Sequence, residues 1–194
     1  MLKKFSTNAV GSFLRVKNRF LNKSPSVEFI RQLAATKKVL IFMPNKIENF
    51  GIALKSLNQL REHKPDWQIT VVTKVEMVSF IDNRLKVDIL PYSNDDSSIL
   101  GLPKGSLREH FDKQSYDLAL DFEPTFDLIC IKLFEFSDAK VKVCFDSPDK
   151  SPFYNFSIRV NPVESLENKY GAMIKYLVVI SQSKIQKKAV EDTH

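Results

Sequence analysis

Short apolar runs alternate with stretches of helical periodicity along most of this chain, and that alternation limits the fold more than any other feature. Lys38-Val39-Leu40-Ile41-Phe42-Met43 is apolar after its first residue without a break, the pattern of a strand buried on both faces. Pro44 ends it. Helical spacing follows at Phe50, Ala53, Leu54, Leu57 and Leu60, and Lys64-Pro65 stops it. Residues 67–73 read as a β-branched second strand, 75–81 as a short helix, and 87–90 as a third strand closed by Pro91. Residues 93–105 form a polar loop with Gly and Pro. Ser106 with Glu109 predicts a capping box for the next helix. A fourth strand is expected over 116–122, a helix over 125–136, and a fifth strand over 141–145 whose alternation suits a sheet edge. Residues 153–160 offer a sixth strand. Asn161-Pro162-Val163-Glu164 then predicts a helix start, with a helix to about residue 180 and a polar, loose tail over 181–194. Strand–helix alternation of this kind builds βαβ units. The expected fold class is α/β: a single Rossmann-like domain, with a mostly parallel sheet of about five to six strands and helices on both faces.

Charge is distributed unevenly. The 194 residues carry 29 bases and 23 acids, a net +6. Six bases (Lys3, Lys4, Arg15, Lys17, Arg19 and Lys23) lie in residues 1–27, which contain no acid. The remaining 23 bases match the 23 acids, so residues 28–194 together carry no net charge. A nucleic-acid partner is not expected, because its footprint would be a basic face on the folded body. Residues 1–27 form a basic amphipathic arm, with Val10, Phe13, Leu14 and Leu21 near one helical face. Three readings stay open for it: a surface helix packed on the body, a segment lying on an anionic membrane, and a targeting segment. In the membrane reading the six bases are the membrane-binding residues.

Several chemistries are excluded by what the motifs lack. No apolar run reaches the ~18 residues a membrane span needs. The two cysteines, Cys130 and Cys144, make no disulfide framework, and no Cys/His spacing suits zinc. There is no GxGxxG, no GxxxxGK[ST] and no GxSxG. No cofactor is expected. In parallel sheets ligands bind beyond the carboxyl ends of the strands. That points to residues 44–50, the loop after Thr73, residues 91–105 and residues 121–125. Candidate ligand-binding residues are therefore Asn45, Lys46, Asp121 and Glu123. The last two fall on one side if the fourth strand continues past Asp121, which makes an acid/base pair conceivable.

The order of elements adds a resemblance. KKVLIFMPNKIENFGIALKSLNQLREHKPDWQITVVT resembles the start of the heptosyltransferases, glycosyltransferase family nine. LKSLNQL stands where that family has a "PALRAL"-like helix run, and KPDWQITV resembles its "FPDAxITV" turn and strand. SYDLALDFEPTFDLICIKLF resembles the later "YDLVIDLQG" strand and helix, and Phe145 with SPFYNFSIRV the "IGF" strand and the aromatic stretch after it. The resemblance covers about residues 37–180 and implies the N-terminal, acceptor half of a two-domain GT-B enzyme. It places the family's Gly-Asp pair on Glu48-Asn49. An amide at Asn49 cannot serve as the family's catalytic base, whereas a slip of one position puts Glu48 there.

Three functions follow as expectations. The first is a non-catalytic binding or scaffold module of cell-surface glycan or lipopolysaccharide synthesis. The second is an active glycosyltransferase half working with a separate donor-domain protein on a lipid-linked glycan acceptor. The third is an unrelated Rossmann-like binding protein, since fold does not carry function. The resemblance implies a cytoplasmic protein, peripheral on the inner face of the cytoplasmic membrane.

Overall fold

The computed structural model describes residues 29–191. A short helix α1 (Phe29–Ala34) leads into β1 (Lys38–Phe42). The 17-residue α2 (Ile47–His63) returns the chain to β2 (Gln68–Lys74). After β3 (Asp88–Tyr92) come α3 (Gly105–Asp112), β4 (Leu118–Asp121), α4 (Leu128–Phe136), β5 (Val141–Phe145), β6 (Phe156–Ile158) and the long α5 (Leu166–Glu191). The six strands form one parallel sheet in the order β3-β2-β1-β4-β5-β6.

Strand periodicity divides the core in two. Val39, Ile41, Ile69, Val71, Leu118, Leu120, Val141 and Val143 face one side, with Leu33 of α1, Phe50, Leu57 and Leu60 of α2, and Tyr170, Met173 and Leu177 of α5. Leu40, Phe42, Val72, Ala119 and Cys144 face the other, with Leu107 and Phe111 of α3 and Cys130, Ile131, Leu133 and Phe134 of α4. Both faces are covered, which is why β1 reads as unbroken apolar sequence rather than as an alternation. The fold is the Rossmann-like α/β arrangement expected. Strand order reverses between β1 and β4, so the crevice beyond their carboxyl ends is the topological switch point.

Several local expectations need correction. The fifth strand is not an edge: β5 pairs with β4 on one side and β6 on the other. The edges are β3 and β6. Pro91 lies inside β3 rather than closing it, because an edge strand tolerates a residue without an N–H. The short helix expected over 75–81 is present as a 3-10 helix over Val75–Phe80. The β-branched Val75 and Val78 and the lack of a side-chain cap explain the tighter, shorter form. α3 starts at Gly105 with Lys104 at its cap position, so Ser106 lies inside the helix rather than at its expected cap. A capping box does exist at Ser93 and Asp96, within the segment read as loop. Asn161 holds a turn of its own, accepting from the Val163 N–H at 3.2 Å, and α5 begins after Ser165, whose Oγ accepts from Asn168 N–H at 3.2 Å. α5 also runs on through Glu191, so the expected loose tail is helical that far.

Candidate functional site

At the carboxyl ends of β1, β3 and β4 the chain gathers its buried polar groups. Leaving β1, the backbone N–H of Asn45 donates to Glu123 Oε2 at 2.9 Å. The Asn45 side chain bridges two more elements. Its Nδ2 donates to Asp127 Oδ2 at 2.9 Å, and its Oδ1 accepts from the Tyr92 hydroxyl at 2.5 Å. Asp127 Oδ1 accepts the Cys130 N–H at 2.9 Å, making Asp127 the N-cap of α4. This cap explains why α4 starts three residues later than its sequence suggests. Thr125 is drawn away from the helix, its N–H and hydroxyl both donating to Glu123 Oε1, at 3.0 and 2.6 Å.

Asp121 ends β4 and Glu123 lies two residues beyond it, past the end of the strand. Asp121 Oδ1 accepts the Glu123 N–H at 2.9 Å. Its Oδ2 accepts from Lys150 Nζ at 2.8 Å and from the Tyr154 hydroxyl at 2.6 Å. Lys150 has no exposed surface, Asp121 1% and Glu123 3%. Lys150 also donates to the Glu123 carbonyl, and the Tyr170 hydroxyl of α5 to the Phe122 carbonyl. Burial alone would lower the Lys150 pKa, yet the adjoining Asp121 carboxylate overcomes it and raises the value. Burial raises the Tyr154 hydroxyl and the Cys130 thiol, with the Asp121 charge adding to both. Both groups are held protonated and make poor nucleophiles. Asp127 is pushed up to about 6, first by burial and then by the charges of Glu123 and Asp121, against the lowering effect of the Cys130 N–H.

The other sequence candidates lie apart from this network. Lys46 and Glu48 are exposed at the start of α2, and Asn49 is half-buried one residue on. Lys46 stands at the cap position of α2 without any side-chain cap bond. The membrane-binding candidates Lys3, Lys4, Arg15, Lys17, Arg19 and Lys23 lie outside the described residues. Sequence reasoning missed Lys150, Tyr154, Asp127 and Tyr92. Lys150 sits in the polar run between β5 and β6, where a lysine reads as a solvated turn residue; no local pattern signals that the fold will enclose it. Among the described residues no group of three His, Cys, Asp or Glu side chains is placed to hold a metal ion.

Residues 14–180 match the sequence profile of a family of unknown function, DUF6913. The chain belongs to that family. DUF6913 thus takes in part of the basic arm as well as the sheet. A comparison with curated proteins returns no match. Two solved structures of the E. coli heptosyltransferase WaaC, one with ADP and one with ADP-2-deoxy-2-fluoro heptose, share the fold of this DUF6913 chain. Their TM-scores are 0.58 and 0.57, each at 15% identity over 73% of this chain. The matched part is 46% and 48% of the WaaC chains, so this chain spans about half their length. The likeness is one of fold, and the fold is glycosyltransferase-like.

Proposed function

We propose that this DUF6913 chain is a non-catalytic, glycosyltransferase-like module that binds or scaffolds within cell-surface glycan or lipopolysaccharide synthesis. One observation carries the reading: the carboxylates of the switch point are committed to the protein itself. Asp121 is bonded to Lys150 and Tyr154, and Glu123 to Asn45 and Thr125, all at or near the ends of the strands where a ligand would enter. A general base must reach the proton it removes, and neither group has a free, exposed oxygen for that work. Calorimetric titration with a panel of nucleotide-diphosphate sugars tests it. The expected result is no heat above dilution. Saturable binding together with sugar transfer would overturn it.

A second reading has its own support. Glu48 is exposed in the first turn of α2, the helix that follows the carboxyl end of β1. In that reading the chain is the active half of a glycosyltransferase, and Glu48→Gln abolishes transfer measured with a donor-domain partner present. In either case the basic arm is proposed to meet an anionic membrane surface. Co-sedimentation with phosphatidylglycerol vesicles should then fade with salt and on deleting residues 1–23.

A further inference from the structure

The side-chain amide of Asn45 lies between two groups with opposite hydrogen-bonding needs. The Tyr92 hydroxyl donates to its oxygen at 2.5 Å, and its nitrogen donates to Asp127 Oδ2 at 2.9 Å. The backbone of Asn45 is held in place by Glu123. The freedom left to the side chain is a half-turn of the amide, which exchanges its oxygen and nitrogen. The other Asp127 oxygen is taken by the Cys130 N–H. A proton arriving on the carboxyl therefore goes to Oδ2, where it meets the Asn45 NH2 donor to donor. That clash is relieved when the amide turns. Its oxygen then accepts from Asp127, its nitrogen donates to the Tyr92 oxygen, and the Tyr92 hydroxyl hydrogen loses its acceptor.

We infer that Asn45 is a proton-driven relay: protonation of Asp127 turns its amide and so reverses the hydrogen bond tying the end of β3 to the loop after β1. The surroundings favour a proton there. Glu123 and Asp121 face Asp127 from the end of β4, the Tyr92 phenol from β3, and the Cys130 thiol from α4 itself. The nearby ammonium of Lys150, from the segment between β5 and β6, is engaged by Asp121. With its carboxyl pushed up to about 6, Asp127 changes charge near neutral pH rather than in strong acid. The switch point thus holds a clasp with two hydrogen-bonded arrangements, selected by one proton. The relay stands whether or not the chain transfers sugar.

Nuclear magnetic resonance of the isotope-labelled full chain between about pH 4.5 and 8 tests the relay. In the wild type the Asn45 side-chain amide and the Tyr92 ring should shift together with one midpoint. In Asp127→Asn both should stay flat. Tyr92→Phe leaves the carboxyl and amide in place but removes the short bond that favours the charged arrangement. Its Asn45 midpoint should rise by roughly half a pH unit. An Asn45 amide that does not titrate in the wild type overturns the relay. So does a Tyr92→Phe midpoint equal to wild type, a result that remains readable if Asp127→Asn fails to fold.

Discussion

Lys150 has no exposed surface, and an ammonium in that position is tolerated because Asp121, also buried, lies 2.8 Å away. Removing one partner leaves the other charged and unpaired in a medium that solvates it badly. Lys150→Met should cost roughly 3–5 kcal/mol in urea denaturation. The double variant Lys150→Met, Asp121→Leu should cost less than the single, because no lone charge remains. Thr73 makes the opposite case. Its hydroxyl is fully buried and has no hydrogen-bond partner. Thr73→Val keeps the shape and removes an unsatisfied group, so it should raise stability by about 1 kcal/mol, read as a higher denaturation midpoint with unchanged slope. Asp127 sets a pH dependence. Its carboxyl lies at about 6 against an ordinary 3.8, so the folded state holds the proton more tightly than the unfolded chain. Its contribution is complete below about pH 4 and is lost as pH rises through 6. Stability of the wild type relative to Asp127→Asn should therefore fall over that window by on the order of 2 kcal/mol.

Element boundaries depend on side chains that choose between neighbours. Thr125 and Asp127 both lie before the apolar stretch of α4, and either could begin a helix. Glu123 takes Thr125, and Asp127 caps. At α5 the Asn161-Pro162 signal is spent on a turn, and Ser165 supplies the cap. Ser165→Ala should lower stability by about 1 kcal/mol in chemical denaturation, whereas Asn161→Ala should leave the helix start unchanged in backbone chemical shifts. α5 also ties itself to the end of β4 through the Tyr170 hydroxyl and the Phe122 carbonyl. Both are buried, and Tyr170→Phe strands the carbonyl without a donor, at a cost of roughly 1–3 kcal/mol.

For the whole molecule, three layers follow from strand and helix patterns that repeat along the chain. Every expected strand is present, and the sheet is parallel with helices on both faces. That much was legible because burial on both faces writes itself into consecutive residues: β1 is apolar after Lys38, and α2 shows its stripe at Phe50, Ala53, Leu57 and Leu60. Errors appeared where several helix starts competed, and at β5, whose half-buried Lys142 imitates the alternation of an edge. The site was legible only in part. Asp121 is 29 residues from Lys150, and Asn45 is 47 from Tyr92 and 82 from Asp127. Nothing local in those segments records that they meet. By itself the sequence determined the class of fold and which strand ends would gather polar residues, because these depend on patterns a few residues long. Only the tertiary structure decided that those residues would satisfy one another, because hydrogen bonds at such separations exist only after the sheet has closed and water has left.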